Sequence, residues 1–174
     1  MLSDIAIRRR LADPKGGLAI TPILDPERQI DQASVDLRLG PDLIVTRRAT
    51  GLGLFDPARV DEIAAHTRDY QDYLRRPLGS AFYLHPGEFA IARTLEYITL
   101  PDDLAGQAVG RSSWGRLGLI IATATLVQPG FAGTITLELS NVGTVPMVLY
   151  VGVRIAQLTL YEMHDGSTAA AGAA

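Results

Sequence analysis

The sequence predicts an all-β domain, and two features carry that expectation. From Phe82 to about Tyr161 the chain alternates short apolar runs with turns rich in Pro and Gly, at His85-Pro86-Gly87-Glu88, Pro101-Asp102-Asp103, Gln128-Pro129-Gly130 and Val142–Pro146. Short strands closed by tight turns at such spacing belong to barrels and sandwiches. Within 134–141 the alternation is complete: Ile135, Leu137 and Leu139 fall on one side, Thr134, Thr136, Glu138 and Ser140 on the other. A period of two marks a strand with one face in a core, and it sets Glu138 on the polar face between hydroxyls. At 174 residues and 47% apolar content, the chain suits a single domain, 1–163, with a tail over 164–174 expected to be disordered.

The elements follow in order. Ser3 is placed to cap a short helix over Asp4–Leu11, with an acidic first turn and Pro14 and Gly16-Gly17 beyond its end. LAITPIL at 18–24 reads as a strand interrupted by proline, hence an edge. In QASVDLRLG at 32–40, Val35, Leu37 and Leu39 alternate with Ser34, Asp36 and Arg38, which predicts a half-buried strand with Asp36 and Arg38 on its polar face, as an ion pair in preference to a ligand-binding pair. Residues 49–80 are the least regular part, with a helix predicted over Pro57–His66 and then the charged stretch RDYQDYLRR, read as an excursion from the sheet. Along 151–161 the apolar phase slips from odd to even positions, which predicts a bulge near Ala156-Gln157.

Composition excludes several functions. A net charge of −3 and an isoelectric point near 5.6 do not suit a protein that coats nucleic acid or an anionic membrane. There is no cysteine, so disulfides, thiolate chemistry and thiolate zinc sites are excluded. His66, His85 and His164 are too scattered to form a ligand motif. With no apolar core of a signal peptide and no apolar run of membrane-spanning length, a soluble protein of the reducing cytoplasm is expected.

GRSSWGRLGL at 110–119 packs two arginines, two serines and three glycines between strand-like runs. A helical turn beginning at Ser112 or Ser113, capped by either hydroxyl and ended by Gly118, would aim free N–H groups at an anion. Ser112 and Arg116, four residues apart, would share a face, with Arg111 at the mouth. Two guanidinium forks there form a phosphate cradle; the alternative is a surface turn whose arginines are merely solvated.

This block, followed by QPGFAGTITLELSN and GVRIAQL and preceded by QASVDLRLG and FYLHPGEFAIARTLEYITLPDDLAG, resembles the dCTP deaminases, the deaminating branch of the trimeric dUTPase superfamily. The resemblance implies a distorted jelly-roll or β-clip barrel with a short N-terminal helix and a minor helical excursion, assembled as a homotrimer with nucleotide sites between subunits. It implies Glu138 as the general base that activates the water attacking C4 of cytosine, with Arg116 and Ser112 orienting that water and steadying the charge. Arg111 and Ser113 match triphosphate contacts, and Gln157 a position near the phosphates. Zinc deaminases need a His/Cys ligand set and a separate glutamate. With no cysteine and no HxE motif, the reaction is expected to be metal-free at the base, with Mg²⁺ only on the substrate triphosphate.

Three departures from the family pattern stand out. The chain is one residue shorter between Arg116 and the PGF turn, and ATATLV replaces a segment that usually carries a histidine. Gln128 stands where relatives have aspartate. The tail lacks the Tyr, Lys and Gln positions that normally fold over the triphosphate. A pyrophosphohydrolase of the dUTPase kind and a non-catalytic nucleotide sensor therefore stay open beside the deaminase.

Overall fold

The computed structural model describes residues 1–46, 70–122 and 126–164. The predicted helix over Pro57–His66 and all but the first residue of the predicted disordered tail lie outside them. Helix α1 spans Asp4–Ala12, with the Ser3 side chain accepting from the Ala6 N–H at 3.3 Å, as the cap predicts. It is tied down by Ile7, which is fully buried, and by Arg10, whose guanidinium meets Asp103. Strand β1 (Ala19–Thr21) stops before Pro22 and pairs with the end of β6, in keeping with an edge position. A short helix, α2 (Pro26–Gln29), and β2 (Ile30–Asp31) lead into the long strand β3 (Ser34–Thr46).

The remaining strands are β4 (Gln71–Arg75), β5 (Ala81–Leu84), β6 (Phe89–Thr99), β7 (Leu104–Gly110), β8 (Leu119–Ala122), β9 (Leu126–Val127), β10 (Ala132–Asn141), β11 (Met147–Tyr150) and β12 (Arg154–Glu162), with helix α3 (Ser112–Gly115) between β7 and β8. They form a curled antiparallel sheet in the order β8-β10-β6-β3-β12-β7-β9, with β1 on β6 and both β2 and β4 on β3, and a separate ribbon of β11 and β5. The all-β expectation holds. One core runs through it, built from the inward residues of β3, β6, β10 and β12, such as Leu37, Leu39, Ile98, Leu137, Leu139 and Leu158. Burial of that many aliphatic side chains is the main favourable term for a sheet of this size.

Three expectations are corrected here. The charged stretch after residue 68 is not all excursion: Gln71–Arg75 pairs with Asp42–Thr46, because Leu74 packs on the core while Arg75 reaches Asp42 at 3.0 Å on the outside. The first half of β3 is buried on both faces, not one, with Asp36 only 2% and Arg38 8% exposed. Finally, those two residues do not pair with each other. Arg38 meets Glu96 at 3.2 Å, and Asp36 turns to two other arginines. A buried charge needs partners on all sides, and β6 and β12 flank β3 to supply them.

The bulge is where the sequence placed it to within a residue or two: the register between β12 and β3 shifts between Arg154 and Ala156. Ile155 and Ala156 are consecutive yet both fully buried. The extra residue therefore sets Arg154 and Gln157, three apart, on the same face.

Candidate functional site

Arg111 follows β7 in extended conformation and its carbonyl accepts from the Trp114 and Gly115 N–H groups, which opens α3. This corrects the capping expectation. Arg111, not Ser112 or Ser113, occupies the N-cap position, and no side-chain cap bond is made. Both serines lie inside the turn with exposed side chains, and their N–H groups meet no backbone carbonyl among the described residues. The Arg116 N–H donates to the Ser112 carbonyl at 3.1 Å, so the two residues do share a face. Gly118 closes the segment at φ +92, where an added Cβ would sit 2.8 Å from the Gly143 nitrogen. Only glycine suits that position.

Beside this turn lies a cleft of about 270 Å³ lined by Arg111, Ser113, Trp114, Leu117, Val153 and Arg154. Its two arginines both meet the buried Asp36. One carboxylate oxygen stands 3.1 Å from Arg154 Nη1, and the other 3.3 Å from Arg111 Nε without the alignment of a hydrogen bond, so that contact is an ion pair only. Arg154 Nη1 also donates to the Arg28 carbonyl at 2.7 Å, and the Trp114 indole N–H donates to the Arg154 carbonyl at 2.9 Å. Gln157 stands opposite Asp36 across the ladder and therefore on the same face. Among the predicted site residues, the fold thus gathers Arg111, Ser112, Ser113, Arg116 and Gln157 around one end of β7 and β12. Arg154 joins them unpredicted, and so does Asp36, for which the sequence favoured an ion pair with Arg38 over a ligand role. The signals were present, as an acid on a polar strand face and an arginine next to a phase slip, but Arg111 and Arg154 lie 75 and 118 positions beyond Asp36 in the sequence.

Glu138 and Gln128 are elsewhere. Glu138 sits half-buried in the middle of β10, opposite Ile91 on β6 and Ala122 on β8, on the outward face predicted for it. Since Leu119 at the other end of β8 pairs with Asn141, roughly 10 Å of strand separates Glu138 from the start of β8, and Arg116 lies beyond that. Gln128 is exposed in the turn after β9, whose Val127 pairs with Gly106 near the far end of β7 from Arg111. Neither Glu138 nor Gln128 is brought to the Arg111–Arg116 turn within one chain.

Away from the cleft, Glu96 is fully buried and accepts from the Arg38 N–H (2.8 Å) and from the Gln29 amide (2.9 Å), while Arg38 Nη1 also contacts Gln29. Burial raises its carboxyl above the ordinary range, and the Arg38 contacts pull the other way without cancelling the effect. It lies under the N-terminal segment and is a structural network. Among the described residues no helix is long and apolar enough to cross a membrane.

A curled β-sheet with an arginine-lined cleft beside a Gly-Arg-Ser-Ser turn defines a small β-protein equipped to hold an anion. Comparison with known proteins makes the class specific: the chain belongs to the dCTP deaminase-like family, whose model matches residues 1–163. It is 44% identical over 164 residues to a "dCTP deaminase, dUMP-forming" of Dictyoglomus turgidum and 46% identical to a "dCTP deaminase" of Natronomonas pharaonis, in each case over 94% of this chain and 80% of the relative. Among solved structures it resembles the 2'-deoxycytidine 5'-triphosphate deaminase of Agrobacterium tumefaciens, with a TM-score of 0.68 and 28% identity over 94% of this chain and 48% of that one.

Proposed function

We propose that this protein deaminates dCTP to dUTP and ammonia, as a cytoplasmic homotrimer whose sites form between subunits. The observation that carries the reading is the cleft in which Arg111 and Ser113 stand together, in a chain whose relatives bear the name dCTP deaminase. Guanidinium forks and hydroxyls are donors suited to phosphate oxygens. The substrate would bring its own Mg²⁺ on the triphosphate, where the ion would offset phosphate charge alongside Arg111.

In this mechanism the Glu138 carboxylate takes a proton from a water positioned by Arg116 and Ser112, and the hydroxide adds to C4 of cytosine. Glu138 gives that proton to ring N3, then takes the proton of the new C4 hydroxyl and passes it to the C4 amine. The C–N bond breaks, C4 becomes a carbonyl beside N3–H, and ammonia leaves with Glu138 ionised again, so that dCTP and water balance dUTP and ammonia. Glu138 of one copy must meet the Arg111–Arg116 turn of another, because one chain keeps them apart.

A second reading has a specific observation behind it: the Dictyoglomus relative is named for forming dUMP. Relatives at 44% and 46% identity differ in that name, so overall identity does not choose the product. Residue 128 does. Cleaving the triphosphate needs a base for the attacking water, and an amide accepts no proton at neutral pH. We therefore place Gln128 at the substrate without a catalytic proton transfer, and dUTP as the released product. Incubation with dCTP and Mg²⁺, with ammonia and pyrophosphate measured separately, tests this. Ammonia with background pyrophosphate is expected; comparable amounts of both would identify the dUMP-forming activity, and binding with neither product a nucleotide sensor.

A further inference from the structure

We propose that Asp36 is a positioning residue and Arg154 a further phosphate-binding residue: one buried carboxylate sets the Arg111 and Arg154 guanidinium groups side by side as a paired cation for a polyphosphate. The inference rests on the nucleotide triphosphate reading of the cleft and assigns two residues that the family motif does not single out.

The geometry separates what is gripped from what is offered. Asp36 is 3% exposed at its side chain, whereas Arg111 is 28% and Arg154 35% exposed. Asp36 engages Arg111 at Nε, the inner nitrogen, which leaves both terminal nitrogens of that fork for the cleft. On Arg154 it takes Nη1, shared with the Arg28 carbonyl, and the Nη2 and Nε donors have no partner among the described residues. Two guanidiniums against one carboxylate leave one net positive charge, displayed outward over a carboxylate that water does not reach. Long arginine side chains lose much rotamer freedom on binding an anion, and holding them beforehand removes that cost. The Trp114 indole bond to the Arg154 carbonyl adds a second tie between α3 and β12. The bulge at Ile155 completes the arrangement by turning Arg154 to the face that carries Asp36 and Gln157.

A triad that merely fastens β3 to β12 and α3 predicts a different outcome, and the sign of one measurement separates the two. Asp36→Asn removes a negative charge from an anion cleft, so on charge alone polyphosphate binds more tightly; with the arginines released from position it binds more weakly. Calorimetric titration with inorganic triphosphate is expected to show Kd raised by roughly tenfold or more for Asp36→Asn, and for Arg154→Ala by about 10–100-fold, the range of a charge-assisted contact. Arg154→Ala leaves Asp36 paired with Arg111 and so decides the question if the Asn variant does not fold. Deoxycytidine, which has no phosphate, should bind Arg154→Ala as it binds the wild type. Unchanged or tighter triphosphate binding by Asp36→Asn, unchanged binding by Arg154→Ala, or no triphosphate binding by the wild type would overturn the proposal. Inorganic triphosphate carries no base, so a protein that binds it through Arg154 but does not deaminate dCTP refutes the proposed reaction alone. A protein that deaminates dCTP while Arg154→Ala binds triphosphate normally refutes this inference alone.

Discussion

The cleft at the end of β7 and the outward face of β10 are two polar regions of one sheet, and they are built differently. In the cleft every charged group has a partner from a distant segment: Asp36 from β3 meets Arg111 before α3 and Arg154 from β12. On the β10 face, Glu138 lies between the apolar residues Ile91 and Ala122, and no arginine or hydroxyl of the opposite cluster reaches it. The contrast teaches which end of the substrate one chain can organise. Two cations held beside each other suit a phosphate, and one chain fixes them; the proposed reaction also needs Glu138 beside Arg116, which under that proposal a second copy supplies.

The sharpest break of this comparison comes at Glu138. Glu138→Gln keeps the shape but loses the proton acceptor, so turnover should fall by about 10²–10⁴-fold with little change in nucleotide affinity. Activity within a few-fold of wild type would remove Glu138 from the reaction. Next in size is Arg111→Ala, expected to raise the Michaelis constant for dCTP by about 1.5–3 kcal/mol in free-energy terms while leaving deoxycytidine nearly indifferent. Equal losses on both would make Arg111 structural. Association is tested by light scattering together with activity against protein concentration. A trimer is expected, with activity lost on dilution to monomer, and a fully active monomer would contradict a shared site.

The smallest effect belongs to neither region and serves as their control. The Glu96 carboxyl is raised above its ordinary value near 4.5, so the folded state holds its proton more tightly than the unfolded state. That contribution is fully present below 4.5 and declines as pH rises through the folded-state value. Melting temperatures of wild type and Glu96→Gln should therefore diverge in favour of the variant as pH rises through this window, with no change in triphosphate selectivity. A difference that stays constant with pH would show that Glu96 ionises as freely folded as unfolded.

Much of this protein is determined locally. The Ser3 cap, the alternation of 134–141 and the phase slip near residue 155 are short-range patterns, and each gave the element it implied because strand and helix periods are properties of neighbouring residues. The GRSSWGRLGL turn was legible for the same reason, down to the shared face of Ser112 and Arg116. Only the tertiary structure decided which charges meet. Asp36 and Arg38 are two apart on one strand face, and the obvious pair never forms, because β6 presents Glu96 to one and β12 with α3 presents two arginines to the other. Strand order and register set those encounters across many tens of residues, and no local period carries that information. Arg154 became a candidate phosphate ligand on the same account, since its place beside Arg111 exists only once a bulge in β12 and the buried carboxylate of β3 have been brought together.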